Sequence, residues 1–240
     1  MQSRKKYKHL FFDLDHTLWD FEANAKSTLA ELHHSLNLAE RGVDDFELFH
    51  RNYLVHNERL WEKYRNGQIR QDELRTKRMA LSLLDFKVAD EELTNHMSVK
   101  FLELLPTRNI LFPETIETLS YLRDCGYELH LITNGFESTQ HSKLKYSGLQ
   151  GFFKEVVTSE GSNILKPHRE IFEFALKRTG ASTEESIMIG DSLEVDITGA
   201  LNAGLHQVHV NFITDSPMEL PGNIFPTYTI YHLSELRKIF

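Results

Sequence analysis

The feature that most limits the fold of this chain is a set of five short apolar runs, each four to six residues long. Runs of this length with few charges, bounded by polar or glycine residues, are typical of buried strands in a parallel sheet. Helical patterns lie between the later runs: residues 115–125 end before Gly126, and residues 168–179 end before Gly180. Strands that alternate with such helices predict an α/β fold with a doubly wound parallel sheet. The five runs are residues 9–13, 128–133, 155–158, 186–190 and 207–211.

Residues 21–105 carry no strand signal, and apolar residues there recur at helical spacing instead. One such stripe contains Leu93, Met97 and Phe101. We expect about four helices packed on one another, with most of the aromatic residues in their core. Because this segment follows the first strand, it predicts an all-helical insert in the α/β domain. The predicted domains are residues 1–18 with 106–240 as the α/β core, and residues 19–105 as the helical insert.

Composition and charge exclude several classes of protein. The net charge of −8 argues against sequence-independent binding to nucleic acid, which requires a basic face. The single cysteine, Cys125, has no partner for a disulfide within the chain, which fits a reducing compartment. The basic residues 1–10 are not followed by an apolar stretch of signal-peptide length, because Asp13 and Asp15 interrupt it. No segment approaches the ~20 apolar residues of a membrane span. We expect a cytoplasmic protein that binds neither a membrane nor a nucleic-acid polymer.

Polar residues suited to phosphoryl chemistry follow three of the predicted strands. Ligands of an open parallel sheet bind beyond the carboxyl ends of its strands, where these residues would meet. Taken singly, each group is more often a turn, a helix cap or a surface charge. Taken together, the carboxylates suit a hard cation such as Mg²⁺, and a lysine suits a phosphoryl group. The groups are Asp13 and Asp15, Thr133-Asn134-Gly135, Asp191 with Asp196, and Lys166 in the loop after residues 155–158.

These residues belong to four motifs, namely Asp13-Leu-Asp-His-Thr-Leu, Ile132-Thr-Asn-Gly, Lys166-Pro-His-Arg-Glu-Ile-Phe and Gly190-Asp-Ser-Leu-Glu-Val-Asp-Ile. In type and order they resemble the motifs of haloacid dehalogenase (HAD) superfamily hydrolases, across nearly the full chain. The resemblance implies a Rossmann-like core and a phosphatase that works through an aspartyl-phosphate intermediate. Phosphate monoesters hydrolyse very slowly unaided, and their transition state carries spread negative charge, so cations and positioning dominate catalysis.

The resemblance also implies a role for each motif residue. Asp13 is the expected nucleophile. Asp15 is expected to protonate the leaving oxygen in the first half-reaction and to deprotonate the attacking water in the second. Because it must be protonated in the first half-reaction, we expect its carboxyl to lie away from the metal. The expected cofactor is Mg²⁺, and Asp196 is expected to hold a metal-bound water or Lys166. The expected metal ligands are the Asp13 side chain, the Asp15 backbone carbonyl and the Asp191 carboxylate. The expected phosphate-binding residues are Thr133, Asn134, Gly135 and Lys166.

Two positions differ from many members of this superfamily. Asn163 lies three residues before Lys166, where many members have glycine. Asparagine tolerates a positive φ better than most residues, so we still expect the turn to form. His16 stands where many members have glycine or asparagine, and we interpret it as a neutral histidine in a turn.

The helical insert resembles the first cap type of the superfamily, which covers the pocket, excludes water and contributes to specificity. Residues 60–67, 15–21 and 133–136 are also similar to the YjjG-like pyrimidine 5′-nucleotidases. Aromatic rings can stack on a base, although they can equally seal the contact between cap and core. The expected substrate is a nucleoside 5′-monophosphate, with a pyrimidine base preferred. The candidate contacts to the base are Trp19, Trp61 and Phe136.

Other functions fit parts of this pattern. A phosphosugar phosphatase or a phosphomutase would share the motifs and the cap type. A non-catalytic module that binds a phosphorylated ligand is the alternative of another class, and the complete set of motif residues argues against it. A dehalogenase is disfavoured, because displacement at a carbon–halogen bond needs no acid at Asp15. For each of these phosphate-transferring enzymes the expected partner is a small phosphorylated metabolite. We expect the protein to be a monomer or a small homo-oligomer.

Overall fold

A computed structural model describes residues 6–212 and 226–240 of the chain. The chain forms two compact units: the segments up to Asp20 and from Asn109 form one, and Phe21–Arg108 form the other. The domain boundaries predicted from the sequence lie after residues 18 and 105. Arg4 and Lys5, which belong to the basic start of the sequence, lie outside the described residues. Within the described ranges, no helix combines the length and the apolar character needed to cross a membrane.

The second unit is all-helical, and the four helices expected in it are present. They are α1 Phe21–Ser35, α2 Phe46–Arg65, α3 Gln71–Leu84 and α4 Glu91–Leu104, followed by a 3₁₀ turn at Leu105–Thr107. Asp45 and Asp90 begin α2 and α4, because each side chain accepts a hydrogen bond at 2.9 Å from a free backbone N–H of the first turn. The rings of Phe49, Tyr53 and Phe101 are buried, as expected for most aromatic residues of the insert.

The first unit is built on a sheet of six parallel strands. The strands are β1 His9–Phe12, β2 Glu128–Thr133, β3 Glu155–Thr158, β4 Ser186–Gly190, β5 His206–Val210 and β6 Tyr228–Ile230. Their order is β3-β2-β1-β4-β5-β6, so the predicted doubly wound parallel sheet is confirmed. Strand β6 was not predicted, because its three residues contain a single aliphatic side chain and form no apolar run.

Strand β1 lies where the order of the strands reverses. Phe12 of β1 pairs with Leu131 of β2 on one side and with Ile189 of β4 on the other. The chain passes from β1 through β2 to β3 and then returns across β1 to β4. In open α/β sheets, ligands bind beyond the carboxyl ends of the strands at such a reversal. Asp13, the residue after β1, therefore lies where a site is expected.

The helices of this unit lie between its strands and after the last one. They are α5 Thr115–Asp124, α6 Glu137–Tyr146, α7 Ser159–Ser162, α8 Arg169–Thr179, α9 Gly199–Asn202 and α10 Leu236–Ile239, with a π-helical segment at Leu193–Thr198 and a 3₁₀ turn at Leu233–Glu235. The two helices predicted from apolar spacing correspond to α5 and α8. Helix α6 was not predicted, because it buries Gln140 and Lys143 beside Leu144 and so lacks an apolar stripe.

Helix α8 packs on an apolar face of the sheet. Phe11 and Ile132 belong to one buried cluster with Ile171 and Phe172 of α8. Burial of each such side chain contributes roughly 1.5–3 kcal/mol to stability. A Cβ at Gly199 would lie 2.7 Å from the Phe172 ring, so this glycine allows α9 to approach α8 closely.

The two segments that leave and re-enter this unit run side by side. Trp19 forms an antiparallel bridge with Leu111. The N–H of Asp20 donates to the carbonyl of Ile110 at 3.1 Å. The chain therefore leaves the α/β unit and returns to it at neighbouring, hydrogen-bonded positions.

Candidate active site

Asp13 is positioned by the pairing of β1 with β4. Its backbone N–H donates to Ile189 O at 2.9 Å, which continues the ladder one residue beyond β1. Its side chain is buried. Lys166 Nζ lies 2.6 Å from Asp13 Oδ1 and 2.7 Å from Asp196 Oδ1. The ammonium group thus bridges two carboxylates that follow neighbouring strands, and it brings three of the predicted site residues together.

Burial and like charges shape the ionisation of this cluster. Burial raises the pKa of Asp13; Lys166 opposes this and Asp196 adds to it, so the net pKa lies well above the ordinary carboxyl value. Burial alone would lower the pKa of Lys166, but Asp13 and Asp196 raise it above the ordinary lysine value. Burial and Asp196 also raise the pKa of Asp191, against the hydrogen bond from Thr17. Lys166 supplies one positive charge to three carboxylates, which leaves an excess of negative charge.

The same three carboxylates form a group that could hold a cation. Asp13, Asp191 and Asp196 each place an oxygen within 4.8 Å of the other two. A hard divalent cation prefers oxygen ligands and would offset the burial and the like charges that raise the pKa of Asp13 and Asp191. Thr17 Oγ1 donates to Asp191 Oδ1 at 3.0 Å and accepts from Asp191 N at 3.1 Å, which orients this carboxylate. The donor set therefore fits Mg²⁺, while the Asp15 carbonyl as a further ligand stays a prediction.

Asp196 is anchored by the protein through both of its carboxylate oxygens. Oδ1 accepts from Lys166, and Oδ2 accepts from Ser192 N at 3.1 Å. A Cβ at Gly190 would lie 2.4 Å from Asp196 Cγ, so glycine is what leaves room for this carboxylate beside the end of β4. Both oxygens of Asp196 are therefore engaged by the protein, and its expected position behind the metal stays a prediction.

Asp15 belongs to a second charged group. Lys143 Nζ donates to both of its oxygens, at 2.6 Å from Oδ1 and 2.8 Å from Oδ2. Gln140 Nε2 donates to Oδ2 at 3.0 Å. Burial alone would raise the pKa of Asp15, but the Lys143 ammonium and the Gln140 amide bring it below the ordinary carboxyl value. The Trp19 ring lies against the same ammonium, with Lys143 Nζ 4.4 Å from its centroid.

The turn after β2 is tied to the loop that carries Lys166. Asn134 Nδ2 donates to Lys166 O at 2.9 Å, and Asn134 Oδ1 accepts from Lys166 N at 2.7 Å. Thr133 Oγ1 accepts from Gly135 N at 3.2 Å and from Gln140 Nε2 at 2.6 Å. The Asn134 side chain therefore positions Lys166, a role that the predicted phosphate contact did not include.

Three residues of this arrangement were not predicted from the sequence: Thr17, Gln140 and Lys143. Gln140 and Lys143 lie three residues apart and therefore share a face of α6. Both are almost fully buried, which is unusual for these residue types. Their spacing directly after the Thr133-Asn134-Gly135 turn was the signal that could have indicated them. Thr17 is a part of the first motif, two residues after Asp15. Its hydroxyl reaches Asp191, the residue after the neighbouring strand β4.

Residues 7–204 match the haloacid dehalogenase-like hydrolase family, and this span includes all of the site residues described above. The chain is a member of the haloacid dehalogenase-like hydrolases. The resemblance seen in the four motifs is thereby confirmed, and so is the expectation that the protein is an enzyme.

Two relatives of this HAD-like hydrolase are named for different substrates, and a third is named only as a HAD hydrolase. It is 32% identical to the HAD-hydrolase YfnB of Bacillus subtilis, over 98% of this chain and 96% of the relative. It is 31% identical to the pyrimidine 5′-nucleotidase PynA of Streptococcus pneumoniae, over 96% and 93%. It is 36% identical to the glyceraldehyde 3-phosphate phosphatase of Methanothermobacter thermautotrophicus, over 97% and 99%. Similarities of this size fit the family and leave the substrate open.

A solved structure shares the fold of this HAD-like hydrolase. The magnesium-bound crystal structure of YfnB from Bacillus subtilis matches it with a TM-score of 0.83 at 30% identity, covering 98% of this chain and 99% of that one. That crystal form reveals interdomain movement in YfnB.

The aromatic candidates for substrate contact lie in both units of the HAD-like hydrolase. Trp19 is fully buried, and one face of its ring is taken by Lys143. Phe136 immediately precedes α6 and is 4% exposed. Trp61 lies on α2, where its ring meets that of Tyr64 edge-on at 5.7 Å. Contact of these rings with a substrate stays a prediction.

The two positions that differ from many superfamily members both have left-handed backbones. Asn163 follows α7 with φ 57°, so the turn expected there is formed. His16 has φ 64°, which places it in a turn as predicted.

Proposed function

We propose that this HAD-like hydrolase is a Mg²⁺-dependent phosphomonoesterase that works through an aspartyl-phosphate on Asp13. The observation that carries the proposal is the bridge of Lys166 between Asp13 and Asp196, beside Asp191 at the carboxyl edge of the sheet. A phosphoryl group needs an aligned nucleophile and concentrated positive charge, and this edge offers both once a cation is bound.

The proposed residues for Mg²⁺ are Asp13, Asp191 and the backbone carbonyl of Asp15, with Asp196 behind them. A bound Mg²⁺ would neutralise charge on the phosphoryl oxygens and keep the Asp13 carboxylate ionised. The phosphoryl oxygens would be bound by Lys166, Thr133 and the backbone amides of Asn134 and Gly135. All of these follow strands that end at the same edge of the sheet.

In the first half-reaction the Asp13 carboxylate attacks phosphorus. A bond forms between Asp13 and phosphorus, the bond to the ester oxygen breaks, and Asp15 donates a proton to the departing oxygen. Lys143 favours the ionised form of Asp15, so the proton must be acquired as substrate binds. A phosphate dianion placed beside Asp15 raises the pKa of its carboxyl and offsets the effect of Lys143.

In the second half-reaction water attacks the phosphorus of the aspartyl-phosphate. Asp15, now a carboxylate, takes the proton of the attacking water while the bond between phosphorus and Asp13 breaks. Inorganic phosphate leaves and Asp13 is regenerated. The ion pair of Asp15 with Lys143 favours the form of Asp15 that this step uses.

The proposed substrate is a nucleoside 5′-monophosphate with a pyrimidine base. The support is the similarity of residues 15–21, 60–67 and 133–136 to pyrimidine 5′-nucleotidases, and the relative PynA. Phe136 and Trp61 are the proposed contacts to the base, with the helical unit acting as a cap. We place Trp19 with Lys143 and the acid–base pair, because the ammonium covers one face of the ring.

Glyceraldehyde 3-phosphate is the second candidate substrate, because the relative that hydrolyses it is 36% identical to this chain. The two candidates differ in what the region beyond the phosphate must bind: a flat base or a short polar chain. They share the catalytic residues, so only substrate preference separates them.

The test is Mg²⁺-dependent phosphate release from a panel of nucleoside monophosphates, glyceraldehyde 3-phosphate and hexose phosphates, with Asp13→Asn as the inactive control. The highest kcat/KM on pyrimidine nucleotides supports the nucleotidase. The highest kcat/KM on glyceraldehyde 3-phosphate replaces it with the second candidate. Formation of a sugar-phosphate isomer without phosphate release would identify a mutase, and no turnover of any compound would indicate a binding module.

A further inference from the structure

A second group of side chains of the types that can bind a metal lies at the amino-terminal edge of the sheet, away from Asp13, Asp191 and Asp196. His9 begins β1, and Glu128 and His130 lie on β2. His9 pairs directly with Glu128 in the parallel ladder, and Phe11 pairs with His130. Because side chains alternate between the two faces of a strand, these residues all project from the same face.

Three ligand atoms of this group converge. His9 Nδ1 lies 3.2 Å from His130 Nε2 and 3.8 Å from Glu128 Oε2. The three residues each place one ligand atom within 4.8 Å of the others. Two imidazole nitrogens bound tetrahedrally to zinc at 2.0–2.1 Å stand about 3.3 Å apart. At this separation the two imidazoles share a hydrogen bond, and a zinc ion bound by both nitrogens would replace it at almost the same spacing.

The surroundings of the group separate it from an ordinary core contact. Farther along the same face, Phe11 and Ile132 belong to the apolar cluster under α8. At its edge two imidazoles and a carboxylate stand in place of apolar side chains. The rings of His9 and His130 stack with centroids 5.4 Å apart. His130 is 1% exposed, and its Nδ1, the ring nitrogen that does not face His9, has no hydrogen-bond partner among the described residues.

We propose that His9, Glu128 and His130 form a binding site for a transition-metal dication, with Zn²⁺ as the preferred ion. Two imidazoles and one carboxylate are a ligand set that suits zinc, whereas magnesium prefers oxygen ligands alone. The site differs in this respect from the acidic cluster of Asp13, Asp191 and Asp196. The Glu128 side chain is 39% exposed, so the ion can enter from solvent, and a water molecule can complete the tetrahedron.

The neighbouring charges of the site favour a carboxylate that binds with one oxygen. Lys154 Nζ lies 2.9 Å from Glu128 Oε1. Lys8, next to His9, is paired with Glu185 at 2.7 Å. Glu128 Oε2 faces the histidine pair and is the oxygen left for the metal. An ion held there would link the first residues of β1 and β2, about 13 Å along β1 from the catalytic Asp13.

The experiment titrates the chelator-treated full-length protein with Zn²⁺ by calorimetry, in excess Mg²⁺ to fill the acidic cluster. Co²⁺ is the second probe, because a tetrahedral site with nitrogen ligands gives strong visible absorption and an octahedral oxygen site gives weak absorption. We expect one Zn²⁺ that Mg²⁺ does not displace, a strong Co²⁺ band, and a Tm raised by Zn²⁺. Absence of the band together with absence of Zn²⁺ binding would overturn the proposal.

Variants assign the site to these residues. Glu128→Gln and His9→Gln should each weaken Zn²⁺ binding at least about tenfold and remove the Co²⁺ band. The matched controls Glu184→Gln and His34→Gln replace exposed residues and should change neither. If His9→Gln fails to fold, Glu128→Gln decides alone, because that side chain is partly exposed. Unchanged binding in Glu128→Gln would overturn the assignment, and phosphate release by this variant should equal that of the wild type.

Discussion

Lys143 donates hydrogen bonds to both carboxylate oxygens of Asp15, with Nζ 2.6 Å from Oδ1 and 2.8 Å from Oδ2. The ammonium is almost fully buried, and it rests on the ring of Trp19. The residue proposed as both acid and base is thus set toward the base form before any substrate arrives. In the proposed mechanism, Lys143 therefore favours the second half-reaction, in which Asp15 acts as a base.

Lys143→Met should raise the pKa of Asp15, because burial then acts without the opposing ammonium. The folded pKa of Asp15 is lower than its unfolded value in the wild type. The ion pair therefore stabilises the protein above the unfolded pKa, and this stability is lost as pH falls through the folded pKa. At neutral pH we expect a loss of about 1–3 kcal/mol, measured by urea unfolding, since Asp15 keeps partial exposure.

The same variant should change the pH dependence of turnover. We expect the acid limb of the kcat profile to move upward by about one pH unit, because the base form of Asp15 becomes scarcer. Lys145→Met is the matched control, since Lys145 lies on the same helix but is exposed. Coincident profiles for the two variants would contradict the role of Lys143.

Asp13→Asn should abolish phosphate release, by about 10⁴-fold or more, because an amide cannot form the aspartyl-phosphate. Folding should be retained. The folded pKa of Asp13 lies above the ordinary value, so its ionised form costs stability at neutral pH, and a neutral side chain removes that cost. Calorimetry should show an unchanged or higher Tm; substantial turnover by this variant would exclude the covalent mechanism.

Mg²⁺ affinity should increase as pH rises from about 5 to about 8. The pKa values of Asp13 and Asp191 are raised in the folded protein, so protons compete with the cation over this range. Titration calorimetry in two buffers of different ionisation enthalpy should show proton release on binding. Asp191→Asn should bind Mg²⁺ at least about tenfold more weakly. Chelation should stop turnover, and re-addition of Mg²⁺ should restore it. An affinity that is independent of pH would argue against binding by this cluster.

Gly190→Ala should displace the carboxylate of Asp196, because the new Cβ would lie 2.4 Å from its Cγ. We expect a destabilisation of about 1–3 kcal/mol from overpacking, together with a lower kcat, because Asp196 holds Lys166 at 2.7 Å. Gly151→Ala is the control, since a Cβ there meets nothing within 4 Å. Equal behaviour of the two variants in urea unfolding and in turnover would remove this explanation of Gly190.

Strands β1 to β5 could be predicted because their apolar runs are local features of the sequence. Their pairing in a parallel sheet then brings Asp13, Lys166 and Asp196 together, since the carboxyl ends of parallel strands share an edge. Helix α6 could not be predicted by the same argument, because its buried positions carry Gln140 and Lys143. Apolar periodicity does not detect a helix whose buried face is polar.

The ionisation of Asp15 could not be predicted for a related reason. Lys143 lies 128 positions along the chain from Asp15, and no local pattern connects the two. The motif identified Asp15 as an acid, whereas its partner depends on how α6 packs against the loop after β1. A pKa is set by neighbours in space, and these are known only once the fold is known.

The backbone link between the two connecting segments decides where an insert can join the α/β unit. Asp20 and Ile110 are joined by a hydrogen bond, and Trp19 and Leu111 form a bridge beside them. The two ends of the helical insert are therefore held next to each other at one place on the α/β unit, whatever the length of the insert. A helical insert of another length could therefore be joined to the α/β unit at the same two positions without moving Asp13 or Lys166.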